Sequence, residues 1–176
     1  MKNNYNFIEN EGNYIVNETE NNAYAYPVTA TFVKGYFHKS TMDVKIPPFY
    51  LEKVIINEGI EEIAPSALAF SEKLKTIQFP STLKEIGESA FEGCVSLKNI
   101  KLPEDLQRIY KYAFEECISI ESIIIPFSVT EIGYNAFHRC INLKYFIVLN
   151  PNLSYDNIGL PDGCKIICPG KEVETI

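Results

Sequence analysis

Cysteine and histidine are the residue types in this chain that could support covalent or metal chemistry. Cys94, Cys117 and Cys140 follow one another at intervals of 23 residues, and His138 lies two residues before Cys140. A Cys–His pair can act as nucleophile and base, but it requires an exposed thiolate and a third group that orients the histidine. A zinc ion requires tetrahedral ligands, which residues stacked in a single line do not provide. The spacing of the cysteines therefore has to be explained by the elements that carry them.

That spacing belongs to a longer repeat, which favours a structural role for the cysteines. Residues that recur at this period build stacked coils, and each coil buries its apolar side only against its neighbours. In-register stacking places equivalent cysteines about 4.8 Å apart, and such a cysteine is expected to be a small buried residue at a corner. We therefore predict no catalytic residue, no metal ligand and no cofactor, and the chain is not expected to be an enzyme. The three copies, covering 74–142, are LKTIQFPSTLKEIGESAFEGCVS, LKNIKLPEDLQRIYKYAFEECIS and IESIIIPFSVTEIGYNAFHRCIN.

The composition excludes several classes of function. The net charge of −7 disfavours a nucleic-acid or anionic-membrane surface, because both require clustered Lys and Arg. No window approaches the roughly 18 apolar residues of a membrane span, and residues 1–18 contain no apolar run of the kind found in signal peptides. Apolar residues make up 46% of the chain, which is enough for a continuous core. We expect a soluble protein with no nucleic-acid partner and no membrane insertion.

The copy at 97–119 shows how one unit is expected to fold. Ile100 and Leu102 alternate with polar residues, which predicts a strand with one buried face. Pro103 ends that strand because it has no N–H group to give to a ladder. A short second extended segment follows, with Leu106 and Ile109 pointing inward.

The end of each unit carries a small residue, a large residue and a cysteine. In the middle copy these are Ala113, Phe114 and Cys117, and their spacing suits a helical or 3-10 turn. The same spacing predicts that the alanine, phenylalanine and cysteine all point inward. Each coil then buries about seven positions that only the next coil can cover.

The repeats predict three segments of the chain. Residues 51–149 hold the repeats, with units at 51–73, 74–96, 97–119 and 120–142 and a partial unit at 143–149. Residues 1–50 are predicted to form an N-terminal β cap, including strands at Val28–Val33 and Met42–Ile46. Residues 150–176 are predicted to form a C-terminal cap, in which 164–168 adds a last strand and 169–176 is a loosely held tail.

The repeated pattern L-x-x-I-x-L-P-x-x-L-x-x-I-G-x-x-A-F-x-x-C-x-x resembles the BspA-like leucine-rich repeats of bacterial and some protist surface proteins. The resemblance covers 51–149 well and the two ends loosely. It implies a right-handed leucine-rich-repeat solenoid of stacked parallel strands and short helical or 3-10 turns, α/β in class and leaning to β. It also implies a non-catalytic protein-binding module, possessing an adhesin-like role at the cell surface or in secreted form.

The outward residues of the first strand in each unit form the predicted binding face, which we place on the concave side of the solenoid. Stacked strands bring such side chains into contact range, so that neighbours act as one surface. Ile124, Tyr145 and Ile147 are the predicted anchors, because aromatic and aliphatic residues dominate interface energies. β-propensity alone could also account for the isoleucines. The predicted partner-binding residues are Lys53, Ile55, Thr76, Gln78, Asn99, Lys101, Ser122, Ile124, Tyr145 and Ile147.

A second hypothesis is a structural spacer, or a repeat unit that associates with itself and has no dedicated ligand. The open ends of a repeat array favour it, since unpaired strand edges can pair with another chain. The turn regions of adjacent units also contain three tyrosines, which could form an exposed aromatic binding surface or could pack against one another. They are Tyr110, Tyr112 and Tyr134. A protein partner of unknown identity and a second copy of the chain are therefore the two occupants that the sequence leaves open.

Overall fold

The computed structural model describes residues 52–56 and 58–176 completely and, before them, the backbone of three short strands. Every regular element in the described part of the chain is a β-strand of two to four residues. The strand predicted at Met42–Ile46 and the histidine His38 lie outside the described residues. The strands are β1 (Phe7–Asn10), β2 (Asn13–Val16), β3 (Thr29–Phe32), β4 (Lys53–Ile56), β5 (Glu62–Ile63), β6 (Thr76–Gln78), β7 (Glu85–Ile86), β8 (Arg108–Ile109), β9 (Ser122–Ile125), β10 (Glu131–Ile132), β11 (Tyr145–Val148), β12 (Lys165–Ile167) and β13 (Glu174–Thr175).

Each coil of the chain has three sides, here called the first side, the second side and the turn side. In the coil that starts at 120 they are 122–125, 131–132 and 133–140. The first side contributes parallel pairs such as β4 with β6 and β9 with β11. The second side forms one parallel sheet in the order β10–β8–β7–β5. Equivalent residues face each other across the pairs, as Lys53 faces Thr76 and Glu62 faces Glu85. This register confirms that the coils stack with a period of 23 residues.

The interior is a column of equivalent apolar residues from successive coils. Phe91, Phe114 and Phe137 are fully buried and stack face to face, with ring centroids 5.3 and 5.5 Å apart. Phe79 and Phe146 extend the column at its two ends with edge-on contacts. Burying one such side chain stabilises the fold by about 1.5–3 kcal/mol. The predicted inward positions are therefore all buried in the unit at 97–119, whereas Ala67, Phe79 and Ile132 are partly buried in other units.

The turn side differs from the prediction, because the helical or 3-10 turn expected over 113–117 is absent there. Tyr112 and Glu116 have φ angles of 58° and 57°, which a right-handed helix cannot accommodate. The N–H of Phe114 donates to the carbonyl of Ala136 in the next coil at 2.8 Å, whereas the N–H of Cys117 donates to Phe114 at 3.2 Å. The backbone N–H groups of this side donate alternately within the coil and to the next coil. The turn side is therefore a third surface on which the coils stack.

A second difference concerns the strand predicted over 97–102. Ile100 and Leu102 are buried as expected, yet the segment pairs with neither β6 nor β9. Asn99 has a φ of 51°, a left-handed conformation that Asn tolerates and that no β-ladder accepts. Among the described residues, one backbone hydrogen bond still joins this segment to the first side of the preceding coil. The N–H of Lys98 donates to the carbonyl of Lys75 at 3.0 Å. The first side is therefore split into two sheets, β1–β2–β3–β4–β6 and β13–β12–β11–β9.

The C-terminal residues are held in place, in contrast to the loose tail that was predicted. Strand β13 turns back and pairs with β12 in the antiparallel direction. The N–H of Gly163 donates to the carbonyl of Ile176, and the hydroxyl of Tyr155 donates to Glu174 at 3.2 Å. The antiparallel strand covers the edge of β12, where a further parallel coil would otherwise pair.

At the N-terminal side, β3 pairs with β4 in parallel and in register, and β1 and β2 form an antiparallel hairpin. The N-terminal β cap over 1–50 and the segment boundaries at 51 and 150 stay predictions.

Candidate functional site

The three cysteines of the repeats lie in the interior, where they contact the backbone of the preceding coil. Cys94, Cys117 and Cys140 are fully buried. Each thiol donates to a carbonyl of the preceding coil, as Cys140 does to Phe114 at 3.1 Å. Burial raises the pKa of Cys94 and of Cys140 to about 12 and that of Cys117 well above its ordinary value. These thiols are therefore protonated at neutral pH, which removes the thiolate that a nucleophile needs. Cys164 and Cys168 are also buried, and all five cysteines are free thiols.

His138 is directed to a different partner from the neighbouring cysteine. Its Nδ1 lies 2.7 Å from Oε1 of Glu115 in the preceding coil, on the outer surface of the turn side. The thiol of Cys140 points inward to the Phe114 carbonyl instead. Among the described residues, no group of three or more His, Cys, Asp or Glu side chains could hold a metal ion. The geometry thus assembles no Cys–His nucleophile here.

The predicted binding face lies on the outside of the first side. All ten predicted residues are at least partly exposed, with Ile124 at 50% and Tyr145 at 43%. Strand pairing brings eight of them into two groups, one on β4 and β6 and the other on β9 and β11. Asn99 and Lys101 lie in the unpaired segment between the groups, so the split interrupts both columns.

The structure adds residues to this face that the repeat pattern had not included. Strand β12 pairs with β11 so that Lys165 stands opposite Tyr145, and Ile167 stands opposite Ile147. The signal for them was present as the alternation in 164–168, but that segment lies beyond the regular repeats. Leu149 is also 39% exposed, just after β11. The aliphatic and aromatic part of the face therefore continues from β9 to β12.

The charge of the first-side face is opposite to that of the whole chain. Its outward residues form two columns, one from Lys53 to Lys165 and the other from Ile55 to Ile167. The columns contain Lys53, Lys101 and Lys165 and no Asp or Glu, whereas the whole chain carries a net charge of −7. The second side shows the usual mixture, with Glu85 beside Arg108. The two columns of outward residues on the first side therefore combine apolar and positive side chains without an acid.

Ion pairs elsewhere follow the repeat. Six of the seven ion pairs in the described part of the chain join residues 23 apart, as Lys75 joins Glu52 at 2.8 Å. The hydrogen bond from Lys75 lowers the pKa of Glu52 below its ordinary value. Lys101 cannot take part in such a ladder, since the residues 23 positions away are Gln78 and Ile124. The lysines of the first-side face form no ion pair with any described residue.

The three tyrosines of the turn regions do not form one patch. Tyr112 and Tyr134 pack edge-on, with ring centroids 5.9 Å apart. Tyr110 instead donates its hydroxyl proton to Glu85 at 2.9 Å, and this bond raises the pKa of the phenol. Two of the three tyrosines therefore pack against each other, and Tyr134 remains 57% exposed.

The repeat pattern decides the family. A family model described as BspA type leucine rich repeat region matches six copies over residues 48–165, which is 118 of the 176 residues. The chain belongs to the BspA-type leucine-rich repeat family. Repeats of this family commonly serve as protein-interaction modules, and they are in general scaffolds without enzymatic activity. A comparison with functionally curated proteins finds no match.

Solved structures of bacterial leucine-rich repeat proteins are similar to this BspA-type chain. The T. pallidum leucine-rich repeat protein has 24% identity and a TM-score of 0.60, over 81% of this chain and 68% of that one. The pneumococcal vaccine antigen PcpA has 25% identity and a TM-score of 0.62, over 69% of this chain and 31% of that one. A Bacteroides ovatus leucine-rich repeat protein has 21% identity and a TM-score of 0.54, over 94% and 53%. The chain thus spans less than a third of PcpA and about half of the Bacteroides protein. In the residues that the structure describes, no helix has the length and apolar character of a membrane span.

Proposed function

We propose that this BspA-type chain is a protein-interaction module that binds its partner through the outward face of the first side. The observation that carries the proposal is the group of exposed Ile124 and Tyr145 with partly exposed Ile147 on adjacent paired strands. A rigid sheet holds these side chains in place, so little conformational entropy is lost when a partner covers them. Aromatic and aliphatic anchors of this kind supply most of the energy of protein interfaces.

The charges of the face define the chemistry of the partner. Lys53, Lys101 and Lys165 are free of ion pairs within the described residues, and no acid lies in either column. A partner with carboxylates placed around an apolar centre would complement this pattern and would associate faster at low salt. We therefore propose an acidic protein surface as the partner.

A surface location is part of the same proposal. One similar structure belongs to a pneumococcal protein described as a vaccine antigen, and this supports a location outside the cell, where we propose an adhesin-like role. An antiserum raised against residues 52–176 should label intact cells of the source organism. Labelling only after the cells are made permeable would contradict the surface location and would leave the binding face untested, which requires a separate experiment.

The binding face can be tested with two double variants of matched composition. Ile124→Asp with Tyr145→Asp changes the face, where these residues are 50% and 43% exposed. Ile141→Asp with Tyr134→Asp changes the turn side, where the same residue types are 65% and 57% exposed. Each chain is immobilised, and the proteins captured from host or matrix extracts are identified and quantified by mass spectrometry.

The expected result is a protein that the wild type and the turn-side variant capture equally, and that the face variant captures at least about tenfold less, which corresponds to the loss of one anchor. Circular dichroism should show that both variants stay folded, because all four residues are exposed. Equal capture by the face variant would overturn the proposed face.

A further inference from the structure

The break in the first side at Asn99 creates a groove, and its lining suggests one kind of occupant. The groove lies between the unpaired segment 99–102 and strand β9 and has a volume of about 390 Å³. Ile100, Leu102 and Ile123 form its buried floor, while Ile124 and Leu149 form exposed walls. A continuous ladder would have closed this space, because paired strands lie about 4.8 Å apart.

Backbone groups are available along both sides of the groove. Among the described residues, no backbone hydrogen bond joins 99–102 to β9, although β9 is fully paired with β11 on its other side. Unpaired N–H and C=O groups at a strand edge can bond to an added extended segment, and adjacent pockets select its side chains. These unpaired backbone groups therefore favour an extended peptide over a compact ligand.

Two opposite charges flank the apolar lining without neutralising each other. Lys101 and Glu104 both line the groove and are exposed. Neither forms an ion pair with a residue that the structure describes. The repeat offers them no partner, since the residues 23 positions from Glu104 are Ser81 and Phe127. An occupant with an acid at one end and a base at the other would complement both groups.

We infer that the groove binds an extended segment of a protein partner, with an aliphatic centre, an acidic residue beside Lys101 and a basic residue beside Glu104. This inference rests on the proposed protein-binding function and names the part of the partner that enters the first side. The aliphatic side chain packs between Ile124 and Leu149, and the backbone of the segment pairs with the edge of β9. The two charges set the direction in which the segment lies.

The test uses two synthetic hexapeptides of opposite charge order, Asp-Val-Thr-Val-Thr-Lys and Lys-Val-Thr-Val-Thr-Asp, both acetylated and amidated. Each is titrated into the ¹⁵N-labelled chain, and binding is read from the NMR shifts of backbone amides at 99–102 and 122–125. The wild type should prefer one charge order by about threefold to tenfold, the range expected of exposed ion pairs. The double variant Lys101→Glu with Glu104→Lys should prefer the other order by a similar factor.

Three results would overturn the inference: no binding of either peptide at millimolar concentration, shifts confined to other sides of the coil, or a preference that the charge exchange does not reverse. A concentration-dependent dimer that perturbs the same amides without peptide binding would also overturn it, in favour of a second copy of the chain. Leu149→Asp separates the inference from the proposed function. Leu149→Asp should lose both the peptide and the captured protein, and loss of the peptide with unchanged capture of the protein would overturn the inference. If the peptides fail but capture still depends on Ile124 and Tyr145, the groove inference fails and the proposed function stands.

Discussion

The thiol of Cys117 donates a hydrogen bond of 3.2 Å to the carbonyl oxygen of Phe91, which lies one coil earlier in the column of stacked phenylalanines. The same bond recurs from Cys94 to Leu68 and from Cys140 to Phe114. A donor of this size fits the corner where one coil ends and the next begins. The cysteine column is therefore a repeated packing contact between coils.

The first prediction follows from the burial and the raised pKa of these thiols. The folded chain should resist alkylation by iodoacetamide at mildly alkaline pH, where an unperturbed thiol is largely reactive. Because burial raises the pKa of Cys94 and Cys140 to about 12, the thiolate should stay scarce until the pH approaches that value or the chain unfolds. Mass spectrometry should find five labels in guanidinium. Rapid labelling of a repeat cysteine in the folded chain would contradict the structural role.

The second prediction compares a buried and an exposed phenylalanine. Phe114 is fully buried between Phe91 and Phe137, so Phe114→Ala should lower the free energy of unfolding by about 3–5 kcal/mol. Phe127 is 66% exposed, and Phe127→Ala is the matched control with an expected change within about 0.5 kcal/mol. Urea titration followed by circular dichroism measures both. A loss below about 1 kcal/mol at Phe114 would mean that the column does not hold the coils together.

The third prediction concerns the left-handed conformation of Asn99. Asn99→Gly should leave the free energy of unfolding nearly unchanged, because glycine adopts a φ of 51° without a steric penalty. Asn99→Thr places a β-branched residue there and should cost about 1–2 kcal/mol. Thr76 occupies the equivalent position of a paired strand, so threonine is otherwise acceptable at this point of the repeat. If Asn99→Thr were as stable as the wild type, the ladder would be able to close across the break.

The buried positions could be predicted from the sequence, because the same positions are buried in successive coils and their apolar residues therefore recur every 23 residues. The break at Asn99 could not be predicted from that period, since Ile100 and Leu102 keep the alternation of a strand whether or not its backbone pairs. The one available signal was an Asn where Thr76, Ser122 and Tyr145 stand in other coils, as Asn tolerates positive φ.

The turn side was mispredicted for a related reason. The spacing of Ala113, Phe114 and Cys117 fits one helical turn. The residues with left-handed φ, however, are Tyr112, just before this segment, and Glu116 within it, and neither residue type indicates positive φ. Hydrogen bonds to the next coil stabilise this left-handed backbone conformation. The spacing of residues within one unit does not reveal those bonds. Lys165 and Ile167 were missed because their pairing depends on a coil that has lost the repeat.

The fourth prediction tests the strand that covers β12. Removing residues 171–176 takes away β13 and leaves the edge of β12 unpaired. The shortened chain should form concentration-dependent oligomers in light scattering, while the full chain stays monomeric at the same concentrations. Glu174→Ala with Thr175→Ala is the control, because it keeps the backbone pairing and should remain monomeric. Oligomers of the full chain would instead support self-association as the function.

The central claim, that the partner covers the first side, is tested most directly by lysine footprinting on the complex with the captured protein. Lys53, Lys101 and Lys165 lie on the face. Lys84 directly precedes β7 on the second side, and the carbonyl of Lys111 accepts a backbone hydrogen bond from Ser89 on the turn side. Reductive methylation with mass spectrometry compares each lysine in the free and the bound chain. The claim predicts that methylation of the face lysines slows on binding while that of Lys84 and Lys111 does not change. Protection of Lys84 or Lys111 with unchanged face lysines would contradict it.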